Sequence, residues 1–202
     1  MTELLDWWFA GWDDAAPLEA ADPALARWAA IDDGSDPALD EEIRERFGEL
    51  HAEVVARAHE DWEDTARGAL AKIIVLDQVS RALHRSTSRA FRWDAEARAV
   101  TQRALERAYD RELAPIERAF VYLPLTHAED RAAHRRALLL YTDLAEEAEE
   151  AGLARADWYR AAVQTEQRLK EIIDRFGRYP HRNFPLERTS TPEELAFLDT
   201  LD

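Results

Sequence analysis

The 202-residue sequence predicts an all-α fold, an antiparallel helical bundle or short superhelix. Three observations carry this. Apolar residues recur at three-to-four spacing along most of the chain. No stretch alternates convincingly between apolar and polar with period two. The six glycines sit mostly where helices should stop, and none forms a phosphate-cradling loop. With 47% hydrophobic content, a chain of this length can bury about 70% of its unfolded surface in one core. Every gap after the first forty residues is shorter than a linker needs to be, so residues 1–202 are read as one domain.

Trp7, Trp8, Phe9 and Trp12 make the opening helix unusually heavy. Core packing is the simplest use of such rings, and a stacking platform or a homodimer face is the alternative. Residues 12–36, with Pro17, Pro23 and the acidic "DDGSD", break any long helix and leave a loop or a short helical excursion around Trp28. Asp36 can then cap a helix with Pro37 at its first position and Ile43, Phe47, Leu50 and Val54 on its buried stripe. In "TARGALAKIIVLDQVSRALHR", Leu70, Ile73, Ile74 and Leu83 give a wide apolar face. Asp77 and Arg81 interrupt it one turn apart, where they can pair.

Asp94 is placed to cap the following helix, and Pro115 to open a short apolar one that Pro124 ends. Thr126 and Glu129 have capping-box spacing for the next start. Trp158, Ala162, Leu169, Ile172, Ile173 and Phe176 mark a long amphipathic helix with Gly177 available for its left-handed end, and Ser190 or Thr191 caps a last helix before Pro192. The sum is seven or eight helices. A period of about 34 residues was not found in register, so the residues alone establish no repeat.

Composition narrows the function classes. A formal net charge of −16 disfavours nucleic acid and anionic lipid, which need a dense cationic face. Without cysteine there is no disulfide, thiolate zinc site or cysteine nucleophile, and a reducing, cytoplasmic setting is expected. No apolar run approaches the ~20 residues that span a bilayer. No cofactor fingerprint or GxSxG-like elbow occurs, so no cofactor is assigned.

Against the acidic background, "RFGRYPHRN" (175–183) is dense in cations. A helix C-terminus accounts for one or two of them, at ~0.3–1 kcal/mol each. The excess calls for carboxylates, and Asp77, Glu129 and Asp130 are the candidates. Arginine suits the task because its planar fork meets a carboxylate in two parallel hydrogen bonds. The stretches "LDQVSR", "YLPLTHAED" and "RFGRYPHRN" are therefore expected to meet. As ligand donors they offer Asp77, Gln78, Arg81, Arg175, Arg178, His181, Arg182 and Asn183; as acid–base groups His127, Glu129, Asp130 and His181. A purely structural staple is the competing reading. His127, Asp130 and His134 approach one helix stripe, but His134 in "AAHRR" reads as a partly exposed surface residue and no metal is assigned.

The ordered motifs "DWWF", "DEEIRERFGELH", "IIVLDQVSRALHRSTSRAF", "FVYLPLTHAED", "IIDRFGRYPHRN" and "STPEELAFL" resemble the bacterial family called domain of unknown function 924, from about Leu4 to the C-terminus. The resemblance implies an all-helical, tetratricopeptide-like fold and a soluble bacterial protein. It points to polar positions matching Asp77, Gln78, Arg81, His127, Glu129, Asp130, Arg175, Arg178, His181, Arg182 and Asn183. Val79, Ala82, Ser86, Ser88, His134 and Leu169 depart from the family's usual residues. Three functions follow as expectations. The first is a module that binds a small anionic or peptide ligand. The second is a hydrolase- or lyase-like enzyme with His127 oriented by Glu129 or Asp130. The third is an interaction module that forms a homodimer.

Overall fold

The computed structural model describes residues 1–19 and 22–200; positions 20, 21, 201 and 202 of the expected domain lie outside them. The described residues are helical with no strand. In chain order the helices are α1 (Thr2–Trp8), α2 (Pro23–Asp33), α3 (Pro37–Val55), α4 (Ala66–Ile73), α5 (Ser80–Leu83), α6 (Asp94–Glu106), α7 (Pro115–Thr126), α8 (Arg131–Glu150), α9 (Ala156–Phe176) and α10 (Pro192–Leu198). Helices α4 and α5 are joined without a break by a π-helical turn, Ile74–Val79.

Pairs across the helices fix the packing as antiparallel. Arg131 reaches the Asp174 carbonyl and His134 reaches Glu166, so α8 and α9 run in opposite directions. Arg118 pairs with Glu147 and Tyr141 Oη donates to the Ala119 carbonyl, which sets α7 against α8 in the same way. His51 meets Ser80 while Asp40 meets Arg85, ordering α3 against the α4–α5 rod. That rod is apolar on nearly every side, with Leu70, Ile73, Ile74, Val75, Leu76 and Val79 all buried, as a helix surrounded by others must be.

The loop-or-excursion of residues 12–36 resolves into α2, capped by Asp22, whose carboxylate accepts from the amides of Ala24 and Leu25. The aromatic start packs inward: Trp8 is fully buried, and Phe9, Trp12, Trp28, Phe120 and Trp158 meet edge-to-face or tilted with ring centroids 4.9–6.3 Å apart. Asp36 and Thr191 cap as expected, and Gly177 ends α9 at φ 70°.

Three boundaries differ from expectation. Pro124 lies inside α7, which runs on to Thr126, since a proline in the last turn forfeits only a single backbone bond. Thr126 therefore does not cap α8: its hydroxyl bonds back to the Leu123 carbonyl, and Asp130 is the cap, accepting from Ala133 N at 2.8 Å. Asp94 is the first residue of α6 without capping it, because its carboxylate is taken by two arginines.

Candidate functional site

The site begins at the π-helical turn. A turn wider than α is locally unfavourable and is frequent at functional positions. Here Ser80 Oγ donates to the Val75 carbonyl at 3.3 Å and helps satisfy the widened backbone. The turn carries Asp77, which has no solvent exposure. Its Oδ1 and Oδ2 lie 2.8 and 2.9 Å from His127 Nδ1; Arg81 Nη2 donates to Oδ1 at 3.1 Å and Gln78 Nε2 to Oδ2 at 2.6 Å. Burial alone would raise the Asp77 pKa, but the charges of His127 and then Arg81 outweigh it and hold the carboxyl well below its usual range. An ionised acid can only accept, so His127 Nδ1 carries the hydrogen and Nε2 points away from the pair.

Arg81 also pairs with Asp94 at 3.2 Å, and Arg182 reaches the other Asp94 oxygen at 3.2 Å. Arg182 donates to the His127 carbonyl at 2.9 Å and lies over the rings of Phe91 and Tyr179, 4.7 Å from each centroid. Motifs from three parts of the chain thus converge: "LDQVSR", "LTHAED" and "RYPHRN".

They converge on a cavity of about 830 Å³. Gln78, Arg81, His127, Glu166, His181 and Arg182 contribute polar groups to its wall, while Trp28, Phe91, Phe120, Leu123 and Trp158 contribute apolar surface. This combination of apolar walls and a few convergent polar groups is the usual make-up of a small-molecule site. His181 stands at the rim with its ring exposed and tilted on Tyr179; surrounding protein bulk and then the Arg182 charge push its pKa down. Ser86 and Leu169, two of the departures from the family pattern, line the cavity, whereas Val79 and Ala82 are buried in the core.

The other candidates lie elsewhere. Glu129 does not orient His127: it receives Arg188 through two bonds of 2.6 and 2.9 Å and the Tyr179 amide at 2.8 Å. Asp130 is occupied as the α8 cap. Arg178 forks onto Glu194 at 2.6 and 2.8 Å, Asn183 bonds Ser190 and Glu194, and Arg175 pairs with Glu193 at the surface. The late arginine-rich turn is therefore split, with Tyr179, His181 and Arg182 on the cavity and the rest tied to α10 and its approach.

His134 is not a surface residue. It is fully buried, with Nδ1 2.8 Å from Glu166 and Nε2 2.9 Å from the Ala128 carbonyl, because it faces Glu166 of α9. Burial raises the Glu166 pKa, and His134 only partly offsets that. The sequence carries no functional signal for Glu166 or Tyr179, and it marks Asp94 only as a helix cap and Trp28 only as the centre of a helical excursion. Glu166 stands four residues before Lys170 and reads as one more solvated acid unless the register of α8 against α9 is known.

The fold and site define a helical protein with a mixed aromatic and polar cavity floored by a buried aspartate–histidine pair. The chain belongs to the family described as bacterial protein of unknown function (DUF924), whose model matches residues 4–202. A solved structure of protein ATU0120 from Agrobacterium tumefaciens, itself titled a protein of unknown function, is similar at 31% identity and a TM-score of 0.72, covering 87% of this chain and 94% of that one. No curated protein matches the chain.

Proposed function

We propose that the chain binds a small weak acid with a flat apolar body in the cavity beneath α2 and α9. The observation that carries this is that His127 lines the cavity while its Nδ1 is pinned by Asp77, which leaves Nε2 as the ring nitrogen without a protein partner among the described residues. A ligand that donates its proton to Nε2 becomes an anion beside an imidazolium, and the buried Asp77 charge underneath stabilises that imidazolium. Arg81 and Arg182 add positive potential, although their direct partners are Asp77 and Asp94. Trp28, Phe120 and Trp158 supply faces for the apolar body. The cavity's size favours a small molecule over an extended peptide. A tetratricopeptide-like superhelix with this cavity on its concave side is part of the same proposal.

The test is titration with benzoate and 2-naphthoate, followed by quenching of tryptophan fluorescence. Saturable binding lost in His127→Ala and weakened in Trp28→Ala supports the reading. Absence of saturation in the unsubstituted protein overturns it.

The same aspartate–histidine pair favours a second reading, an enzyme in which His127 is the general base. Proton transfer by a positioned imidazole contributes ~10²–10⁴-fold to rate. A turnover that falls by about that factor in His127→Gln would separate it from binding alone.

A further inference from the structure

A second cleft, of about 270 Å³, lies between α3 and the turn that follows α5, apart from the cavity above. Arg44, Gly48, His51, His84, Arg89 and Trp93 line it. In a chain of net charge −16, none of its lining residues is a carboxylate. Arg44 donates from Nε to Glu41 at 3.2 Å and from Nη2 to the Leu83 carbonyl at 3.4 Å, which leaves its Nη1 for an occupant, and among the described residues Arg89 makes no ion pair. The rings of His84 and Trp93 stack with centroids 5.5 Å apart, and His51 meets the same indole edge-on at 4.8 Å.

Gly48 is an independent observation. It sits in the middle of the 19-residue helix α3, where glycine costs ~1 kcal/mol relative to alanine. A Cβ built there meets no atom within 4 Å, so nothing in the fold requires glycine at this position. Its missing side chain leaves the helix backbone open to the cleft, as where an occupant approaches closely.

We infer that this cleft is a separate oxyanion site, taking a phosphate group in contact with Arg89 and Arg44 over the bare backbone at Gly48. Arginine is suited to that geometry, because its parallel N–H donors match tetrahedral phosphate oxygens. Burial first, then His84 and Arg89, push the His51 pKa down to about 4, while burial, then Arg89 and Arg44, lower that of His84. At neutral pH both imidazoles are uncharged and the arginines carry the attraction.

The test uses the whole chain, with side-chain NMR signals of His51 and His84 followed at pH 7 during titration with inorganic phosphate, and separately with sodium acetate and sodium chloride at matched ionic strength. The expected result is a saturable shift with phosphate alone. It should be about tenfold weaker in Arg89→Gln, from loss of one charge-assisted contact, and abolished in Gly48→Leu, whose side chain fills the cleft. Circular dichroism confirms that both variants stay folded. Equal shifts with chloride or acetate, or a phosphate curve unchanged by Arg89→Gln, would overturn the assignment.

Discussion

Asp77 grips His127 with both carboxylate oxygens, 2.8 and 2.9 Å from Nδ1, and does so without any exposure to solvent. The acid also anchors Arg81, itself nearly buried, so it closes a small network of charges inside the core. Asp77→Asn leaves two buried arginines, Arg81 and Arg182, sharing the single carboxylate of Asp94, and lets His127 exchange tautomers. Breaking a buried pair from one side costs ~3–5 kcal/mol, and that loss is the expected shift in urea unfolding. Nitrogen shifts of His127 should show hydrogen on both ring nitrogens by turns. A variant as stable as the original, with one fixed tautomer, would mean that the pair is not what holds the ring.

The two buried acids near the cavity respond to pH in opposite senses. Asp77 has a depressed pKa in the folded state, so its contribution is present above the ordinary carboxylate value of ~4 and is lost as pH falls through the lower folded value. Glu166 has a raised pKa, caused first by burial, so folding favours its protonated form; that contribution is present below its ordinary value and is lost as pH rises through the folded one. Glu166→Gln removes the second effect while keeping the size and one polar link to His134. Urea midpoints measured from pH 4 to pH 8 should therefore fall less for this variant than for the original chain on the alkaline side. Parallel curves would contradict a raised Glu166.

Helix periodicity made most of the fold legible, because burial on one stripe repeats locally and needs no knowledge of partners. Asp36, Thr191 and Gly177 were equally readable, since caps and left-handed ends are decided by a residue and its near neighbours. The convergence of the three polar motifs was foreseen from charge balance, but the pairings were not. Asp77 and Asp94 take the roles that Glu129 and Asp130 were expected to fill, because which acid meets His127 depends on the rotation of the α4–α5 rod, and that rotation is set by a π-helical turn with no local signature. His134 was misplaced for a similar reason: flanking arginines point to solvent, while the ring points to α9.

The C-terminal strap should release in acid before the bundle does. Glu194 is held down to about 2, first by its hydrogen bonds from Arg178 and then by the Thr191 amide. Stability from this carboxylate is present above ~4.3 and disappears as pH falls toward that lower value. Hydrogen exchange of amides 178–198 is expected to accelerate between pH 4 and pH 2 while amides of α8 stay protected. Glu194→Gln should bring the same loss of protection at pH 7. Simultaneous loss across both regions would show instead that the strap has no separate stability.

Gly68 predicts the opposite outcome to Gly48 for the same substitution. A Cβ at Gly68 would lie 2.1 Å from the Trp62 carbonyl oxygen and 2.8 Å from its carbon, both backbone atoms of the 3-10 turn Glu60–Asp64. That turn cannot move freely, because its Glu63 accepts from the buried Lys72 at 2.8 Å and from Arg103 at 2.6 Å. Gly68→Ala gains ~1 kcal/mol of helix propensity and must displace a turn that carries a buried ion pair, so overpacking and loosening of Lys72 dominate. A net loss of about 2–3 kcal/mol is expected. Gly48→Ala, with open space around its new methyl group, should gain up to ~1 kcal/mol. Urea unfolding of the two variants side by side decides it: if both stabilise, the close approach at Trp62 yields without cost and the turn is not fixed by Glu63.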